Sequence, residues 1–203
     1  MTHAASVPTV TLRNGLKMHS KSLVLIALFT AIIVVLGLIP PIMVAFIPVP
    51  IHAQSLGVLM AGIVLGARGG ALSALLLIVL VAIGLPVLSG GRGGLAVFLS
   101  PTAGYLVGYL PTAWATGWLS ERVALKAGGG WKTFAGLLAA AVVGVIVTHV
   151  FGVAWLIAYV GLSPRDALVG DLIFVPGDLI KAGIAAYVGQ FVLQNFGSRL
   201  RMR

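Results

Sequence analysis

Pro176-Gly177-Asp178-Leu179-Ile180-Lys181 places an acid and a base three residues apart inside the last long apolar run of the chain. A charge at the centre of a bilayer is unfavourable by about 2.5 to 3.5 kcal/mol on the insertion scale, so it needs a partner, a water-filled cavity or a ligand. At helical spacing i and i+3 the two side chains share one face, and that face must look into the protein. Two readings are open: an ion pair that locks helices together, or part of a ligand site.

The surrounding 203 residues are 60% hydrophobic and only 8% charged, with several apolar runs long enough to cross a hydrocarbon core of ~30 Å. This is the composition of an all-α integral membrane protein, with room for six short-looped helices and no separate soluble domain. The formal charge of +9 does not point to nucleic acid, because the basic residues sit between the apolar runs and at the two ends. The absence of cysteine excludes disulfide and thiolate chemistry.

Working back from the opening stretch, the expected organisation is a basic tail (1–21), one six-helix membrane domain (22–196) and a basic tail (197–203). Span 1 runs from about Ser22 to Ile39 and stops at Pro40-Pro41, since proline lacks the backbone donor. It is too long for a signal peptide's apolar region and has no small-residue cleavage site after it, so it is read as retained. The first tail is read as irregular, with room for a short surface helix. An apolar, proline-containing connector, residues 42–50, leads to span 2 (51–66), followed by spans 3 (71–87), 4 (103–119) and 5 (131–160), and span 6 from about Leu172 to Phe196. Span 5 would be ~45 Å long as a helix, so it must tilt or protrude.

Orientation follows from counting Lys and Arg. Ten of the thirteen lie on one side under this topology, only Arg92 and Arg165 on the other, and Lys181 within the membrane. The basic side is cytoplasmic, which puts both termini there and leaves the glycine-rich loop around Arg92 and the start of span 6 on the outside. With entry at Leu172, Asp178 would lie ~9 Å and Lys181 ~14 Å inside.

The loop Ser89-Gly90-Gly91-Arg92-Gly93-Gly94, continuing to Ser100-Pro101-Thr102, is a second candidate. Glycines let backbone approach a ligand, and one guanidinium can clasp a carboxylate through two parallel hydrogen bonds. It reads equally as a flexible outer loop with its arginine at the headgroups. Tyr105 and Tyr109, at i and i+4 on one helical face, are ligand walls or interfacial belt residues. Gln54 is a ligand contact or an interhelical hydrogen bond, while His52 and His149 read more simply as an interfacial residue and a satisfied interhelical donor. No glycine-rich phosphate loop with its lysine is present, so ATP hydrolysis by that route is excluded. His149 with Ser73 or Ser100 forms no recognisable catalytic motif, which argues against an intramembrane enzyme.

Taken in order, Pro48-Val49-Pro50-Ile51 with Gln54, Gly57-Val58-Leu59-Met60-Ala61-Gly62, Gly84-Leu85-Pro86-Val87, Pro101-Thr102-Ala103-Gly104-Tyr105 and Pro176-Gly177-Asp178 with Lys181 resemble the BioY family. These are the biotin-specific substrate-binding (S) components of energy-coupling factor (ECF) vitamin transporters. The resemblance runs from about Ser22 to Gln194. It implies six helices in the cytoplasmic membrane, an outward-facing biotin pocket, no cofactor, and work with a transmembrane coupling protein and two cytoplasmic ATPases. It also gives Ala27 and Ala31 a role in docking on the coupling protein. The resemblance and the chemistry of biotin together give an expected substrate-binding set of Asp178, Lys181, Gln54, Arg92, Thr102, Tyr105 and Tyr109, of which Arg92 lies outside the matched motifs. Asp178 would accept from a ureido N–H, Lys181 would donate to the ureido carbonyl, and Arg92 suits the carboxylate tail. The alternatives are an S component for another vitamin, with the same body and a different pocket, and a solitary proton-coupled carrier titrating Asp178.

Overall fold

A computed structural model describes residues 9–12, 16–41, 52–122 and 130–200. The connector at residues 42–51, and with it Pro48, Pro50 and Ile51, lies outside them, as does Lys126.

The described chain is a bundle of helices preceded by a small hairpin. Strands β1 (Thr9–Leu12) and β2 (Leu16–His19) pair antiparallel, with Thr9 opposite His19 and Leu12 opposite Leu16. This corrects the reading of the tail as irregular or briefly helical: Thr-Val-Thr-Leu and Leu-Lys-Met-His alternate with period two, the pattern of strands.

Helix α1 (Ser20–Gly37) buries a single stripe, Ile26, Phe29, Thr30, Ile33 and Gly37, at spacings of three and four. The opposite face, with Val24, Leu28 and Val35, is exposed, as befits a helix with lipid on one side.

Helix α2 (Gln54–Ala82) is continuous as an element but folds back on itself at Gly66. Gly66 has φ 76° and ψ −174°, a conformation open in practice only to glycine. Residues 54–65 and 67–82 are thus two antiparallel limbs. At Gly70 an added Cβ would stand 2.7 Å from the Gly62 Cα, whereas eight residues along a straight helix would separate them by about 12 Å. Glu121 at the end of α3 caps the second limb by accepting a hydrogen bond from the Ala67 amide at 3.1 Å.

Helix α3 (Ala103–Arg122) lies across both limbs, and α4 (Gly130–Ala158) packs on α3. At its 29 residues α4 is about 44 Å long, as expected for span 5. The segment read as a loop before span 6 instead forms a short helix, α5 (Pro164–Asp171). Ser163 accepts from the Asp166 amide at 3.1 Å, and Pro164 takes the first helical position. Helix α6 (Val175–Leu200) follows at a bend of 48°. It begins three residues later than the sequence implied, so Asp178 stands in its first turn, about 4.5 Å along the axis rather than ~9 Å.

Among the described residues, α1, α2 and α4 are long and apolar enough to cross a membrane, and α5 with α6 adds a fourth, bent candidate. The difference from six has a physical cause. The two limbs of α2 are one element, and α3 carries Thr112, Thr116, Ser120 and two tyrosines along with Pro111.

Candidate functional site

Two polar clusters form where the ends of α2, α3, α4, α5 and α6 converge. The first is built on Asp178. Lys181 Nζ lies 2.8 Å from Asp178 Oδ1, and Ser55, in the first turn of α2, donates to the same oxygen at 3.3 Å. Lys181 also donates to Ser55 Oγ at 3.2 Å. As an acid in the first turn of α6, Asp178 faces the positive end of that helix. The ion pair read from the sequence is present, but it does not close on itself.

On its other side Asp178 meets His149 of α4, whose Nε2 lies 3.2 Å from Oδ2. The His149 Nδ1 lies 2.7 Å from Asp171 Oδ1, and the Tyr105 hydroxyl donates to that same oxygen at 2.7 Å. A chain of polar groups therefore runs Lys181, Asp178, His149, Asp171, Tyr105, drawn from four helices. The ring of Tyr105 is wedged between His149 and Phe174 in edge-on contacts with centroids 6.4 and 6.3 Å away.

The second cluster is built on Arg92. A tight turn at Gly90 and Gly91, both at positive φ, returns the chain so that the Leu88 amide donates to the Arg92 carbonyl at 3.0 Å. Arg92 Nε donates to the Ser89 carbonyl at 3.2 Å and Nη1 to Thr102 Oγ1 at 3.1 Å. Ser100 shares a hydrogen bond with Thr102, and the Trp155 indole donates to the Ser100 carbonyl at 3.0 Å, which fixes the loop on α4. Partial burial lowers the Arg92 pKa from the ordinary guanidinium value, yet a guanidinium remains charged in any protein setting.

Gln54 and Ser55 join the clusters from adjacent positions. The Gln54 side chain is 1% exposed; its amide donates to the Val87 carbonyl at 2.9 Å and the Ile33 carbonyl at 3.4 Å, and its oxygen accepts from the Ser89 amide at 2.9 Å. These partners are all backbone, so Gln54 clamps the end of α1 and the Arg92 loop to the start of α2. Tyr109 lies between the clusters, within electrostatic reach of both Arg92 and Asp178. Its hydroxyl is 3.5 Å from His52 Nε2, and His52 Nδ1 is buried with no hydrogen-bond partner among the described residues.

Of the residues singled out by sequence, Asp178 and Lys181 are in contact, Arg92 and Thr102 are in contact, and Tyr109 stands between the pairs. Tyr105 belongs to the Asp171 end of the chain. Ala27 and Ala31 are on the exposed face of α1, away from both clusters. Sequence reasoning missed Ser55 and Asp171 and treated His149 as an ordinary interhelical donor. A histidine in the middle of a proline-free apolar run was the available signal, but its acids arrive from other elements.

A cavity of about 600 Å³ opens beside His149 and Asp171, between α4, α5 and α6. Apart from those two residues its walls are aliphatic, with Ile146, Val150 and Leu179 among them. Such a groove suits hydrocarbon; the convergent donors and acceptors that would orient a polar ligand are in the two clusters.

A bundle with apolar exposed flanks and a partly buried, charged, two-ended polar centre has the build of a membrane protein that binds a small polar molecule. The sequence matches the BioY family over residues 8–198, and the chain belongs to that family. It is 55% identical over 180 residues to the biotin transporter BioY of Rhizobium etli, covering 88% of this chain and 96% of the relative. With the biotin transporter BioY of Rhodobacter capsulatus it shares 44% over 197 residues, covering 90% and 98%. The fold matches a crystal structure of the S-component for biotin from an ECF-type ABC transporter with a TM-score of 0.80 at 35% identity, over 86% of this chain and 91% of the other.

Proposed function

We propose that this chain is the biotin-capturing S component of an ECF-type vitamin uptake system. The observation that carries the reading is the pair of clusters, because their chemistry matches the two ends of biotin. Asp178 accepts from a ureido N–H and Lys181 donates to the ureido carbonyl. Arg92, held by Ser89 and Thr102 and with the rest of its fork unengaged among the described residues, takes the carboxylate of the valeryl tail. Tyr109 and His52 flank the path between them. Gln54 is assigned to positioning, since its groups are taken up by backbone, and Tyr105 acts through Asp171.

The helical rods α1, the two limbs of α2, α3, α4 and α6 serve as six crossings of the cytoplasmic membrane. The Lys and Arg distribution supports an orientation with both basic tails in the cytoplasm and the clusters near the outer surface. Capture would occur from outside. Energy for release would come from ATPase partners through a transmembrane coupling protein, which docks on the exposed Ala27 and Ala31 of α1, where small side chains permit close helix approach. The chain binds its ligand without converting it.

Equilibrium binding of labelled biotin to the detergent-purified chain, with other vitamins as competitors, tests this reading. Saturable biotin binding that the others do not displace is expected. Displacement by a different vitamin would move the assignment to another S component, and uptake that needs the proton gradient but no ATPase would indicate a solitary carrier.

A further inference from the structure

Both ring nitrogens of His149 face carboxylates, Nδ1 at 2.7 Å from Asp171 and Nε2 at 3.2 Å from Asp178. A neutral imidazole has one N–H and one lone pair, so it can donate to one of these acids while its lone pair confronts the other. A doubly protonated ring attracts both. The Nε2 contact is not aligned as a hydrogen bond, so the ring acts on Asp178 through charge and position.

The groups around the ring come from every element packed against it. Asp171 comes from α5, Asp178 and, beyond it, Lys181 from α6, and Tyr105 from α3, donating to the Asp171 oxygen that meets the ring. His52, just before α2, lies within electrostatic reach of Asp178 and Lys181. A carboxylate offers about four lone-pair directions. Lys181 and Ser55 donate to Oδ1, and His149 stands beside Oδ2 without a hydrogen bond, so among the described residues Asp178 keeps acceptor capacity on Oδ2 for a ligand.

We propose that His149 is a positioning residue for ligand capture: as an imidazolium oriented by Asp171, it holds Asp178 against Lys181 with an acceptor direction free, so capture weakens when the ring loses its proton. Biotin is the probe, so the role rests on the biotin reading above.

The test titrates labelled biotin into the detergent-purified full chain across a pH series, for the unaltered chain, His149→Gln and Asp171→Asn. The unaltered chain should lose affinity about tenfold as pH rises, the scale of one charge-assisted contact. His149→Gln should bind about tenfold more weakly at neutral pH and follow a flat profile. Asp171→Asn should lie between the two. In parallel, imidazole nitrogen shifts of labelled histidine in the unaltered chain should show two N–H groups on His149, one lost in step with affinity.

His149→Gln with unaltered affinity, or with weakened binding and the original pH profile, would overturn the role. So would nitrogen shifts of a neutral ring throughout, a readout that needs no variant to fold. An unaltered chain that binds no biotin at all would sink the biotin reading instead, and the nitrogen shifts would still decide the charge of the ring.

Discussion

The two ends of this helical body are held by opposite means. Around the Gly66 turn, backbones touch: Gly62 meets Gly70 and the Ala113 carbonyl, and Gly117 lies against Gly66 and Ala67. At the other end, where Gln54, Arg92 and Asp178 gather, side chains from all sides meet through hydrogen bonds and charges. The first end owes its order to the absence of side-chain volume, which brings helices close and multiplies dispersion contacts. The second owes its order to polar partners, and such partners can be shared with a ligand. A protein that must be rigid in one place and receptive in another gains from this division.

Substitutions can break either half. The largest effect is expected from Gly117→Val, because even a Cβ there would stand 2.5 Å from the Ala67 backbone nitrogen, which cannot step aside. No folded chain should survive size-exclusion chromatography in detergent; a monodisperse variant would show that the close approach is dispensable. Next comes Arg92→Ala, which should leave the fold intact. It should weaken biotin on the order of tenfold to a hundredfold by loss of charge-assisted hydrogen bonds. An amide-tailed analogue should lose far less, and equal losses for both would detach the arginine from the carboxylate.

Ser55→Ala removes one neutral hydroxyl that touches both Asp178 and Lys181, so a loss of only a few-fold is expected. A loss as large as that of Arg92→Ala would make the serine a direct ligand contact. The smallest effect on affinity belongs to Ala27→Trp on the exposed face of α1. Binding should be unchanged while ATP-driven uptake stops, and normal uptake would remove the docking assignment.

How far the sequence could be read follows the same division. Pro40-Pro41, Gly66 and the proline-free run of α4 announce helix limits through local sterics, and the structure obeys them. The hairpin of the tail was also locally encoded, in two alternating runs around Asn14-Gly15, a hairpin-forming dipeptide that a reading centred on charge passed over. Helix α5 was signalled by Ser163-Pro164 with Asp166 three residues after the serine, a short capping pattern hidden in what looked like a loop.

The site was legible only in part. Asp178 and Lys181 share one turn of one helix, so spacing alone exposes the pair. His149 and Asp171 are 22 residues apart and meet only because α5 bends back under α4. Gln54 was noticed as polar, but its clamp on Ile33, Val87 and Ser89 depends on three carbonyl and amide groups that no side-chain pattern records.

The central claim is that the acid at the head of α6 receives the ligand. Labelled-biotin titration of purified Asp178→Asn beside the unaltered chain addresses it most directly, with elution as a single detergent-solubilised species as the check on folding. The account predicts a well-folded variant whose affinity falls by a hundredfold or more, about 3 kcal/mol, the scale of breaking a buried charge pair. A well-folded variant that holds biotin as tightly as the unaltered chain would contradict it.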